Sequence, residues 1–210
     1  GRDIPGTGCY EFTYRCERDM GEEQQAQWYV RDTLIGLANA FTHIGPGILF
    51  DCSTVYYNTL WGGSGLLRRG PFGYPKPSYV GYAVATRVMD RVVFRRQIPT
   101  GSGTFYAVAF DRADGRQVTA LWAARGEADL AVDFEADGTV TEIEMFGNST
   151  ARATSGRRLT ATAGTSPLYL VSDHPVASVG VTARRFPRDA RRAAAARVVA
   201  PLRDAAALAV

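Results

Sequence analysis

Apolar residues recur at helical spacing before Arg91 and at strand spacing after it. Ala26, Val30, Leu34, Leu37 and Phe41 fall on one face of a predicted helix. Asp19 or Gly21 is placed to cap it, Glu22 and Glu23 suit its positive end, and Gly45-Pro46-Gly47 is expected to end it. Within the run from Gly47 to Val55, Ile48, Leu49 and Phe50 are continuously apolar, as in a parallel strand covered on both faces. Pro77 or Ser78 opens a second predicted helix through about Asp90, with Val80, Val84 and Val88 along one face. An earlier apolar stretch, Cys9-Tyr10-Glu11-Phe12-Thr13-Tyr14, makes the order strand, helix, strand, helix. That order reads as β/α units on a parallel sheet.

The pattern then changes. Segments rich in Val, Phe, Tyr and Thr follow at intervals of about ten residues, separated by turn signals at Asp114-Gly115, Asp137-Gly138, Gly147-Asn148 and Ser155-Gly156. From Val140 to Phe146, Glu142 and Glu144 alternate with Ile143 and Met145, which predicts an antiparallel strand with one wet face. About six or seven such strands predict a small antiparallel β-sandwich. The expected fold class is therefore α/β plus all-β. It divides into an α/β part at 1–91, a sandwich at 92–172 and an Ala- and Arg-rich tail or start of a further domain at 173–210.

A chain of 210 residues with 46% hydrophobic residues can bury one or two cores. No stretch approaches the ~20 apolar residues that a bilayer span needs, so no membrane partner is expected. The absence of an initiator Met and of a signal-peptide pattern fits a processed chain or an internal fragment. From His174 onward seven Arg face Asp189 and Asp204, a local +5 against an overall +3, which leaves −2 for the body. The basic balance thus belongs to the tail, and no nucleic acid is expected as a partner. Cys9, Cys16 and Cys52 lack metal-type spacing with His43 or His174, and no metal or cofactor is expected. Neither histidine forms a recognisable nucleophilic triad, and Gly62-Gly63-Ser64-Gly65 lacks the Lys-Ser/Thr of a phosphate loop.

Glu11 is costly in a buried strand unless paired or used, and the end of a strand is where a barrel enzyme places a catalytic acid. Glu11-Phe12-Thr13-Tyr14 resembles the nucleophile strand of clan A retaining glycoside hydrolases, the seventh strand of a (β/α)8 barrel often followed by a small β-sandwich. Gln25-Ala26 and Arg31 match the next helix of that family. Gly65-Leu66 matches the segment after the eighth strand, Lys76-Pro77-Ser78-Tyr79 the opening of the last helix, and Pro167-Leu168-Tyr169 the closing strand. The resemblance covers about residues 4–172 and implies a partial TIM barrel, its last two β/α units, at 1–91. It departs at Gly6-Thr7-Gly8, where apolar residues would precede the nucleophile, and the family's general acid/base lies on a fourth strand, outside this sequence.

The resemblance implies a carbohydrate substrate, retention through a covalent intermediate at Glu11, and an extracellular or periplasmic setting. Glu11 is otherwise a surface glutamate, or one salt-bridged to Arg15 or Arg31. Tyr14 would donate to Glu11, line the sugar site or pack in the core. Trp61 would stack on a sugar or cap the rim. Asp51, Tyr56, Tyr57 and Asn58 follow the same strand toward the expected active face, with Asp51 the second-choice carboxylate. Glu22 and Glu23 read as helix-start charges. The other reading is a binding or structural sandwich, with Tyr106 or Trp122 exposed if it binds sugar.

Overall fold

A computed structural model describes residues 21–46, 49–51, 64–68 and 73–185. Among them lie helices α1 (Glu22–Ala38) and α2 (Pro77–Val88). Strands β1 (Val93–Gln97), β2 (Phe105–Asp111), β3 (Gln117–Ala123), β4 (Glu127–Phe134) and β5 (Thr139–Glu144) follow. The last strands are β6 (Ser149–Ala153), β7 (Arg158–Ala163), β8 (Leu168–Ser172) and β9 (Val176–Arg185).

Ala26, Val30 and Leu34 are fully buried on α1, as their spacing predicts. The helix stops at Ala38, well before Gly45-Pro46-Gly47. Ala40 adopts φ 60, its N–H donates to the Leu37 carbonyl at 3.2 Å, and the Phe41 N–H reaches back to Gly36 at 3.0 Å. This is a Schellman ending with alanine where glycine is usual. The reversal carries Phe41 off the stripe, leaving it 64% exposed.

Pro77, with its preset φ, occupies the start of α2. The buried face of α2 is Ser78, Gly81, Ala85 and Val88, whereas Val80 of the predicted stripe is exposed. Small residues on this face let the two helices approach closely. A Cβ on Gly81 would come within 3.3 Å of Val30 Cγ2.

The strands form a six-stranded sheet, β1-β2-β3-β8-β5-β6, and a three-stranded sheet, β7-β4-β9, with antiparallel pairing throughout. The structure is thus mostly antiparallel sheet with two helices. Among the described residues the expected parallel pairing is limited to a single bridge, Phe50 to Leu67. Both helices rest instead on the six-stranded sheet. Val108, Phe110, Val118, Ala120, Trp122, Tyr169 and Val171 meet Ala26, Val30, Leu34 and Ala85 on that side. Ala107, Ala109, Leu121, Leu168 and Leu170, one residue out of phase, meet Leu130, Val132, Leu159 and Val179 of the small sheet. Strands β3 and β8 are buried at every position because both faces are covered.

Two sequence expectations change. The strands are nine among the described residues, and β9 continues past residue 172 as a partner of β4. Ile143 of β5 and Met145 just after it pack toward the helices, while Glu142 pairs with Leu170 and Glu144 with Leu168 on the face toward the small sheet. The wet face therefore looks into a step beyond the edge strand β7 and not outward from the sandwich.

An arginine bridges the two sheets at each seam. Arg96 Nη2 donates to the carbonyls of Val176 (2.7 Å) and Ala177 (3.1 Å), and Arg152 Nη1 donates to Thr160 O (2.9 Å) and Glu142 Oε2 (3.0 Å). Each occupies edge carbonyls that would otherwise template another strand. On the outer face of the small sheet, Asp133 accepts from Arg158 and Ser178, and Asp129 accepts from Arg185 and Thr162.

Hydrogen bonds from Arg185 and Thr162 hold Asp129 below its ordinary value, and those from Arg158 with Ser178 do the same for Asp133. A depressed folded-state pKa contributes stability that is full above the unfolded value and is lost as pH falls through the folded value. Denaturant midpoints should accordingly fall as pH drops through the unfolded carboxylate value of about 3.9 and below it, and less steeply in Asp129→Asn/Asp133→Asn. Replacing Ala40 by Gly should raise stability by about 0.5–1 kcal/mol, because the left-handed conformation no longer opposes a Cβ. An unchanged or lower melting temperature would contradict that account of the helix ending.

Candidate functional site

Glu11, Tyr14, Tyr57, Asn58 and Trp61, with Tyr56 and all three cysteines, lie outside the described residues. Asp51 lies within them, and the geometry around it is specific. The segment 49–51 runs beside Leu66 and Leu67: Leu67 N–H donates to Leu49 O (2.8 Å) and Asp51 N–H to Leu67 O (2.9 Å). On the other side of this central segment, Lys76 N–H donates to Leu66 O (2.9 Å) and Arg68 N–H to Tyr74 O (2.8 Å).

Asp51 Oδ1 accepts from Lys76 Nζ at 2.6 Å and from the Gly65 N–H at 2.9 Å. Lys76 is the N-cap residue of α2, and its side chain is 4% exposed. A Cβ on Gly65 would overlap the Asp51 backbone nitrogen, so the backbone approach that makes this bond needs glycine. Burial pushes the Asp51 carboxyl above its ordinary value, and the Lys76 ammonium and Gly65 N–H draw it back only partly.

Helix α1 is tied to the same place. Tyr29 donates its hydroxyl to the Ser64 carbonyl, and Arg68 forms a fork with Glu22 at 2.9 and 2.7 Å. Glu22 therefore serves both the helix start and an ion pair. The arrangement brings the N-terminal ends of both helices to one cluster. It also fixes Asp51 beside Ser64 and Gly65, the two stems of the segment that contains Tyr57, Asn58 and Trp61. Lys76 as the partner of Asp51 was not anticipated, although a lysine directly before the proline of a helix start was visible in the sequence. Among the described residues no group of His, Cys, Asp and Glu is arranged to hold a metal ion, and no helix is long and apolar enough to cross a membrane.

A cleft of about 690 Å³ opens at the end of the sandwich, with Glu23, Gln27, Glu127, Glu142, Glu144 and Arg185 on its walls. Gln27 Nε2 donates to Ser166 Oγ at 3.1 Å across one side of it. Four carboxylates and one guanidinium give it an acidic lining. Tyr106 and Trp122 stack on each other at 5.3 Å and face α1, with Trp122 only 2% exposed. Trp122 thus offers no flat aromatic platform to bulk solvent, and Tyr106 is half-buried.

The fold is similar to part of one solved glycoside hydrolase. A family 39 glycoside hydrolase from the gut symbiont Bacteroides cellulosilyticus WH2 is similar with a TM-score of 0.59 and 21% identity, over 72% of this chain and 31% of that chain. The catalytic domain of GH30 xylanase C from Talaromyces cellulolyticus matches at a TM-score of 0.41 and 13% identity, over 60% of this chain and 29% of that one. The GH51 arabinofuranosidase from Xanthomonas axonopodis pv. citri matches at 0.37 and 14%, over 55% and 29%. The chain thus spans about a third of the length of the family 39 structure. At these identities the likeness is one of fold. No protein-family model and no curated protein sequence matches the chain.

The Asp51 cluster predicts an asymmetric response to substitution. Asp51→Ala should cost about 3 kcal/mol, because it removes the carboxylate facing a buried ammonium. Asp51→Asn keeps an acceptor for both donors and should cost distinctly less. Equal losses for the two variants in chemical denaturation would show that the charge of Asp51, and not its capacity to accept hydrogen bonds from Lys76 and Gly65, holds these segments.

Proposed function

We propose that this chain is the C-terminal part of a retaining glycoside hydrolase that acts on O-glycosidic bonds of a poly- or oligosaccharide. The observation that carries this reading is the fold shared with the family 39 structure over 72% of the chain. Residues 1–91 would supply the last two β/α units of a barrel, the sandwich begins at 92, and β9 extends it to Arg185. The location of Asp51, Lys76 and Glu22 supports the reading. They gather at the N-terminal ends of both helices, and in a β/α barrel those ends lie on the catalytic face.

In this mechanism Glu11 attacks the anomeric carbon and the glycosyl–oxygen bond breaks. A second carboxyl, about 5–5.5 Å away and carried by barrel residues outside this sequence, protonates the leaving oxygen. The same group then deprotonates the water that releases the sugar from Glu11 with net retention. Tyr14 would orient Glu11 or line the site, and Tyr57, Asn58 and Trp61 would contact sugar. Asp51 acts mainly as a positioning residue, since its Oδ1 already receives Lys76 and Gly65. It fixes the stems of the segment that presents Tyr57, Asn58 and Trp61.

The test uses the full-length protein, including its upstream coding sequence. Glu11→Ala should lower turnover of an aryl glycoside substrate by about a thousandfold or more. Added azide should restore product as the glycosyl azide of inverted configuration, because the small anion replaces the missing carboxylate. Near-normal turnover in Glu11→Ala would remove Glu11 as the nucleophile.

A further inference from the structure

A second cavity, of about 340 Å³, lies between α1 and the adjoining ends of β2 and β3. Its walls include Trp28, Arg31, Asp32 and Ile35 from the helix and Tyr106 and Trp122 from the strands. The volume falls in the range of about 300–1,000 Å³ typical of small-molecule sites. Most of the wall is apolar, and each polar group in it retains unused hydrogen-bonding capacity.

Arg31 is 7% exposed, yet no carboxylate pairs with it among the described residues. Its Nε donates to Gln27 O (3.1 Å), its Nη1 donates to Ala123 O (3.3 Å), and its guanidinium carbon lies 4.7 Å from the centroid of the Trp28 ring. The carbonyls and the ring hold the cation in place but leave Nη2 without a partner among the described residues. Asp32, one residue along, has no hydrogen bond or ion pair among the described residues, and burial pushes its carboxyl above the ordinary value. The Trp28 indole N–H is buried without an acceptor among the described residues. A buried indole N–H is usually satisfied, and here, among the described residues, it lies in one wall with a guanidinium that has a free Nη2 and an exposed, unpaired carboxylate at Asp32.

The charges restrict the occupant. Arg31 and Asp32 cancel, so an anion meets Asp32 unfavourably and a cation meets Arg31. A neutral ligand suits both if it carries hydroxyls that donate to Asp32 and accept from Arg31. It must also present apolar C–H faces to Trp28, Ile35 and Tyr106. A pyranose ring combines these properties.

We propose that this cavity is a carbohydrate-binding site that takes one or two pyranose rings of a neutral saccharide. Asp32 accepts from ring hydroxyls, Arg31 Nη2 donates to one, and Trp28 with Tyr106 receives the apolar face. Trp122 forms the buried floor behind Tyr106. The site goes beyond the proposed hydrolysis and needs no catalytic group. In a hydrolase its role would be to hold a polymer near the enzyme.

The 210-residue chain is titrated with xylohexaose and with cellohexaose, followed by calorimetry and tryptophan fluorescence. Saturable binding of at least one hexasaccharide is expected, with a change in the emission of the tryptophans. Trp28→Ala and Asp32→Asn should each weaken it about tenfold, as loss of an anchor residue does. Asp32 is exposed and has no partner among the described residues, so Asp32→Asn should keep the melting temperature and decides the matter if Trp28→Ala fails to fold. Absence of saturation by both hexasaccharides, or full affinity in Asp32→Asn, overturns the proposal. In full-length Glu11→Ala, binding should persist while hydrolysis is lost, which separates this site from the hydrolase reading.

Discussion

The six-stranded sheet has no free face over its central strands, and the other elements take their positions from that fact. Val108, Phe110, Val118, Ala120 and Val171 require a cover on one side, and Ala107, Ala109, Leu121 and Leu170 require one on the other. Two helices supply the first layer and three strands the second. Each large apolar side chain buried in such a layer contributes on the order of 1.5–3 kcal/mol. Removing either layer would expose a continuous apolar sheet. The helices are therefore part of the same folding unit as the sandwich strands they cover.

That sharing explains where polar groups had to be arranged. The small sheet covers fewer strands than the large one, so β5 extends past it and its inward face carries Glu142 and Glu144. Arg152 crosses this step to Glu142 and to a β7 carbonyl, and Arg96 closes the opposite seam on β9. At the helix ends, Asp51, Lys76 and Gly65 perform a comparable task in a drier setting. Their contact joins three short segments that have too little apolar area to hold one another. The stems of the segment bearing Tyr57, Asn58 and Trp61 are fixed by charge and backbone hydrogen bonds more than by packing.

Much of the local structure was legible. The alternation in Glu127–Phe134 and Arg158–Ala163 is the period-two pattern of half-covered strands, and both are half covered. Ala26, Val30 and Leu34 marked the buried stripe of α1 correctly. The end of that helix was misread because Ala40, and not a glycine, takes the left-handed position that reverses the chain. On α2 the buried face consists of Ser78, Gly81 and Ala85, which carry little hydrophobic signal and are chosen for closeness to Val30. Asp51 was singled out for its position on a strand, but its partner Lys76 lies 25 residues away and becomes a neighbour only in the fold. The cavity at Trp28, Arg31 and Tyr106 had no linear signature at all, since its walls come from α1, β2 and β3.

The sequence by itself determined the starts of the two helices and the run of antiparallel strands before residue 172, because hydrophobic period and turn chemistry act over a few residues. It also determined that Gly115, Gly147 and Gly156 fall in turns, where each adopts the positive φ that glycine tolerates. The tertiary structure decided which faces meet. The continuous apolar runs in β3 and β8 required cover on both sides, but nothing local specified helices for one side and strands for the other. That choice depends on contacts between residues far apart in the chain, and so do the ion pair at Asp51 and the cavity beside Arg31.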